Sequence, residues 1–135
     1  MSTETNKAIV RRFITEVLAA GNPAPIDELL APNYVNRMLG QGLEAFKKMA
    51  GLTKEAIPDL QWTIESLVAE GDQVVARFLI RGTQTGSVMG NPPSGKALTV
   101  RGLTYYRLVN NKIVEDDPIT TPDLAQALGV QMPPR

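Results

Sequence analysis

The run Glu115-Asp116-Asp117-Pro118 sets three carboxylates in succession, candidates for proton transfer in this chain. The 135 residues include no histidine and no cysteine, which removes the commonest general base together with thiolate nucleophiles, thiolate metal sites and disulfides. Acid or base chemistry must therefore rest on carboxylates, tyrosines or lysines. On a strand, Asp116 shares a face with Val114 and Pro118, and burial among apolar walls would raise its pKa toward the range useful for proton transfer. Against this, three successive carboxylates commonly form a solvated acidic rim. Asp116 and Asp117 are both retained as catalytic candidates.

Arg77 is the third catalytic candidate. Its strand neighbours on the same face are Val75 and Leu79, and an arginine among apolar residues calls for a carboxylate partner, for which Asp116 is the candidate. The same guanidinium could instead hold a substrate oxygen that gains negative charge. Tyr34 and Asn36 fall on a short extended piece at the expected mouth of a cavity, where a hydroxyl and an amide orient a ligand without titrating; core packing and turn chemistry are their structural alternatives. Gly102, Thr104 and Tyr106 alternate along one face of a long strand and are read as lining the same space. Leu79 and Pro118 join them as candidate substrate contacts, whereas Trp62 is read as core.

The elements that must position these residues follow from periodicity. Ile9, Val10, Phe13, Ile14, Val17 and Leu18 have helical spacing up to the stop at Gly21-Asn22-Pro23. A short helix is expected from Pro25 to Leu30, ended by Pro32, and a third after Gly42, weakened in its second half by Gly51. From Leu60 onward the pattern alternates. Strands are expected over 60–69, 73–85, 98–108 and 112–121, with hairpin turns at Glu70-Gly71-Asp72 and Asn110-Asn111, and a short terminal helix over 122–128. Three helices followed by a meander of long antiparallel strands argue a single α+β domain with helices packed on one face of a curved sheet.

Composition narrows the partners. Fourteen basic residues cancel fourteen acidic ones, so no overall field draws the chain to nucleic acid or to an anionic membrane. No apolar run approaches the ~20 residues needed to span a bilayer, and the N-terminus lacks signal-peptide character. A cytoplasmic protein is expected. The loop Gly86–Gly95 lacks the strand-loop-helix setting and Lys-Ser/Thr ending of a phosphate cradle, and is read as a lid or a dimer contact.

Several stretches carry a family resemblance: Asn6–Val17, Ile26–Arg37, Gly71-Asp72, Tyr106-Arg107 and above all T-G-x-x-M-G-x-P-P-S-G-K-x-x-x-V-R-G over Thr85–Gly102. Together they make the chain resemble the SnoaL-like polyketide cyclases of the nuclear-transport-factor-two-like superfamily. The resemblance implies a cone-shaped α+β barrel, a homodimer, a hydrophobic polyketide-like small molecule as substrate, and no metal or organic cofactor. It also implies an aspartate of the last strand acting as general acid or base in a ring closure. This chain departs from that pattern: Pro118 stands where the catalytic aspartate is usual, Asp117 where a tryptophan is usual, and Thr104 where a histidine or aspartate often sits. A bulge could bring Asp117 into the pocket; otherwise the pocket would act by folding a reactive chain into near-attack geometry.

The limonene-type epoxide hydrolases of the same superfamily are matched by Tyr34, Asn36 and Arg77, but Leu79 and Pro118 occupy the places of their two aspartates. A non-catalytic binder of apolar ligands is the remaining alternative.

Overall fold

The computed structural model describes residues 2–38, 40–49, 51–87 and 92–122. The terminal helix expected beyond Pro122 lies outside them. Helix α1 (Thr3–Arg12) is capped by the Ser2 hydroxyl, which accepts the Thr5 amide at 3.0 Å, and it continues as a π-helical segment (Phe13–Ala19). The stripe expected from the sequence is the buried one, with Val10, Phe13, Ile14 and Val17 all out of solvent.

Helix α2 (Ile26–Leu29) is shorter than expected and passes directly into strand β1 (Leu30–Asn36). Pro32 therefore lies within a strand rather than ending a helix. It falls in the stretch where pairing with the neighbouring strand is interrupted, between Leu30 and Val35, where a missing N–H breaks no ladder. A two-residue strand β2 (Gln41–Gly42) leads to α3 (Leu43–Met49) and α4 (Leu52–Ala56). Gly51 separates these two at φ 90°, a left-handed conformation that ends the first helix where the sequence weakened it.

Strands β3 (Gln61–Glu70), β4 (Gln73–Thr83), β5 (Ala97–Val109) and β6 (Lys112–Thr121) form the expected antiparallel meander. At the β5–β6 turn Asn110 and Asn111 have φ of 51° and 65°, the geometry of a two-residue hairpin. The sheet order is β2-β1-β6-β5-β4-β3, with β1 and β6 parallel and the other pairs antiparallel. Among the described residues the sheet is open, its edges being β2 and β3.

The helices cover one face, here called inner. It presents Val74, Ala76, Phe78 and Ile80 from β4 and Val100, Thr104, Tyr106 and Leu108 from β5. Burial of two such apolar layers against each other is the main driving force for this arrangement. Among the described residues no helix is long and apolar enough to cross a membrane.

Candidate active site

Asp116 is carried to the inner face by an irregularity in β6. Leu108 pairs with Ile113, yet Arg107 pairs with Glu115, so β6 holds one extra residue at this point. In a regular strand Ile113 and Asp116, three apart, would point to opposite faces. The bulge puts both on the inner face, and Asp116 then stands opposite Tyr106 on β5 and opposite Asn36 on β1. The Arg37 amide donates to the Asp116 carbonyl at 2.8 Å and fixes the backbone there. Behind it, on the outer face, Glu115 accepts from Arg37 Nε at 2.8 Å and from Arg107 Nε at 2.9 Å. These two guanidiniums, Arg107 first, hold the Glu115 carboxyl below the usual carboxylate range.

Asp116 is 4% exposed. Tyr34 Oη donates to its Oδ2 at 2.7 Å, and Asn36 Nδ2 donates to Tyr34 Oη at 3.4 Å, so a short chain of donors ends on the carboxylate. Its other oxygen, Oδ1, is buried without a hydrogen-bond partner. Burial disfavours the charged form and raises the pKa from 3.8 to about 7; the Tyr34 hydrogen bond opposes this, while the charges of Asp117 and Glu115 add to it. The Tyr34 hydroxyl is pushed upward, first by burial and then by the Asp116 charge, and remains a neutral donor. Tyr106, fully buried, is pushed up for the same two reasons.

The inner face is not uniformly filled. One buried cluster joins the π-helical segment, α2 and β1 to Val74, Ala76, Tyr106 and Leu108; a second joins Ala56, Ile57 and Leu60 to Phe78, Ile80 and Val100. Gly102, Thr104 and Pro118 belong to neither cluster and lie in register between them. Of these, the paired Thr104 and Pro118 stand beside Asp116 on the inner face. Beyond Asp116, β6 has no pairing with β1, so the missing N–H of Pro118 costs nothing on that side.

Expectations for four residues are corrected. Arg77 does not meet Asp116: its side chain is 62% exposed on the outer face, with its Nε 3.7 Å from Glu65. Leu79, two residues on, shares that outer face. The reason is that β4 turns its wholly apolar side to the helices, which forces the arginine-bearing side outward. Gly102 does not leave space for a ligand, because a Cβ there would lie 2.7 Å from Phe78 Cζ and 2.8 Å from the Ile119 carbonyl. The phenyl ring and the β6 backbone already occupy that place. Asp117 pairs with Tyr105 and faces outward; the bulge selects Asp116 for the inner face.

Thr104 is buried opposite Pro118, and Tyr106 is buried with its ring edge-on to Phe13, centroids 6.1 Å apart. Tyr34 and Asn36 come together with Asp116. Sequence reasoning missed Gln41, which pairs with Asn36 and continues the row outward; a two-residue strand leaves no periodicity to read. A cleft of about 390 Å³ lined by Pro32, Arg107, Val109 and Lys112, among others, is not walled by Asp116, Tyr34 or Asn36. Among the described residues no group of three or more carboxylates converges to hold a metal ion.

Similar structures share this architecture. A candidate SnoaL-like polyketide cyclase from Jannaschia sp. CCS1 matches with a TM-score of 0.80 at 24% identity, over 98% of this chain and 95% of that one. TsrD from Streptomyces laurentii matches with a TM-score of 0.80 at 23% identity, over 97% and 99%. A candidate polyketide cyclase from Acidithiobacillus ferrooxidans matches with a TM-score of 0.77 at 28% identity, over 96% and 98%. No curated protein matches the sequence. The model of the SnoaL-like polyketide cyclases matches residues 8–126, nearly the whole chain and all the strands that build the site, and the chain belongs to that family.

Proposed function

We propose that the protein is a ring-closing enzyme acting on a hydrophobic, polyketide-derived small molecule, with Asp116 as the group that exchanges a proton with it. The observation that carries this reading is the buried Asp116 carboxyl, held on Oδ2 by Tyr34 and bare on Oδ1, with a pKa of about 7. A carboxyl poised near neutrality can take a proton and return it within one turnover. Oδ1 removes a proton from a carbon flanked by carbonyls, and the electron pair of that C–H bond forms the enolate. The enolate carbon attacks a second carbonyl of the same molecule, forming the new C–C bond. The resulting alkoxide takes the proton back from Asp116, so no atom is gained or lost. Tyr34 keeps the carboxyl oriented throughout, and Thr104 and Pro118 line the neighbouring face.

The proton carrier in this scheme is Asp116 alone, since Arg77 and Asp117 point away. The exposed position of Arg77 also weakens the epoxide-hydrolase alternative, which needs that guanidinium in the pocket. The proposed homodimer is supported by the outer sheet face, where Val68, Leu103 and Ile119 are 63%, 49% and 70% exposed beside Arg77, Arg101 and Glu65. Apolar side chains ringed by both signs of charge suit a self-complementary contact.

The proton-transfer reading is tested with 2-tetralone, a hydrophobic ketone whose α-hydrogens exchange slowly with D₂O. Followed by NMR, exchange should be accelerated at least tenfold by the wild type and not by Asp116→Asn. Equal acceleration by both proteins contradicts it. Binding of the ketone without any acceleration favours a templating pocket or a non-catalytic binder.

A further inference from the structure

Tyr106, Asp116, Asn36 and Gln41 stand in one row on four successive strands: Tyr106 pairs with Asp116, Asp116 with Asn36, and Asn36 with Gln41. Paired residues share a face of the sheet, so the row runs along the inner face out to its β2 edge. Two of its members carry a buried oxygen with no donor, Asp116 Oδ1 and Gln41 Oε1. Leaving a buried acceptor bare costs about 1–3 kcal/mol, and such atoms are uncommon enough in folded proteins to require a reason. Both lie in the same row, one on either side of Asn36. With strands about 4.8 Å apart, the two Cα atoms are separated by roughly 10 Å.

The two donors beside the Asp116 carboxyl are used internally. The Tyr34 hydroxyl goes to Asp116 Oδ2 and the Asn36 amide to the Tyr34 oxygen. At Asp116 and Gln41 the row therefore offers acceptors without donors. A ligand bearing only carbonyl oxygens would leave both atoms bare, whereas one with two hydroxyl or enol groups on an apolar skeleton would satisfy both. We propose that Gln41 is a substrate-positioning residue, its side-chain oxygen accepting a hydrogen bond from a hydroxyl or enol of the molecule on which Asp116 acts. The substrate then carries a hydroxyl or enol for Gln41 beside the group whose proton Asp116 Oδ1 takes, and a second hydroxyl on a probe stands in for that group. This rests on reading Asp116 as the working carboxyl of the site.

The probe is 1,3-dihydroxynaphthalene, compared with its dimethyl ether by titration calorimetry. The wild type should bind the diol at least tenfold more tightly than the ether. Gln41→Met, of similar length and without the acceptor, should lose about five- to tenfold of the diol affinity and none of the ether affinity. An unchanged preference in Gln41→Met, alongside a preference lost in Asp116→Asn, overturns the role of Gln41 and leaves that of Asp116 standing. The reverse pattern overturns the Asp116 reading instead. A wild type that binds both probes equally, or neither at millimolar concentration, overturns the proposal without any variant, so it survives a variant that fails to fold.

Discussion

Asp116 carries its proton at a pH where an exposed aspartate would have lost it, and that has a cost in stability. Its pKa is near 3.9 in an unfolded chain and about 7 in the folded one, so between those values the native state binds the extra proton. Stability then falls as pH rises through this window and levels off above it. The full penalty is of order 4 kcal/mol. Asp116→Asn keeps an acceptor for Tyr34 and removes the charge. Urea denaturation should find this variant more stable than the wild type at pH 8 by a few kcal/mol, and equal to it near pH 4. A wild type that gains stability between pH 4 and 7 relative to the variant would show the carboxyl to be stabilised in its charged form.

The residue-level site was partly legible in the sequence. Alternation along β5 and β6 grouped Asp116, Pro118, Thr104 and Tyr106, because each strand there mixes one mostly apolar face with one charged face. The same rule failed for Arg77 and Leu79. Alternation tells which residues share a face but not which face turns inward, and the uniform apolar set Val74, Ala76, Phe78 and Ile80 was the stronger signal in β4.

At the scale of elements, the site depends on the bulge in β6 and on the strand that joins it from across the chain. Asp116 reaches Tyr34 and Asn36 only because β1 lies parallel to β6, a pairing between segments about 80 residues apart that no local pattern records. The outer-face clamp of Glu115 between Arg37 and Arg107 ties β1, β6 and β5 together beside the bulge. Its side chain is 17% exposed, so the contribution is that of a modest charge-assisted pair. Glu115→Gln should lower stability by about 1 kcal/mol at pH 7. Because the Glu115 pKa is depressed, that contribution is present above about pH 4.3 and is lost as pH falls through the folded value. The difference between wild type and variant should therefore shrink in acid, and thermal unfolding at pH 3 and pH 7 measures it.

Over the whole molecule the fold was read closely, from the helical stripe of Val10, Phe13, Ile14 and Val17 to the two hairpin turns. Long strands with strict alternation and asparagine or glycine turns leave little freedom. What the sequence concealed were the brief or irregular parts, β2 and the broken pairing around Pro32, and which aspartate the bulge turns inward. The sheet's two faces also differ, the inner one burying Asp116 and the outer one leaving Leu103 and Ile119 exposed. Ile119→Arg, at an exposed position, should leave the fold intact and convert the proposed dimer to a monomer in sedimentation at micromolar concentration; an unchanged mass would place any interface elsewhere.

The proposed proton transfer depends on one ionisation, that of Asp116. Carbon-detected NMR titration of the aspartate side-chain carboxyls, in wild type and in Asp116→Asn, measures it without any substrate. One carboxyl titrating near pH 7, absent from the variant, is the expected result. If every aspartate titrated at or below about pH 4, Asp116 would be an ordinary carboxylate and the proposed chemistry would have no proton carrier.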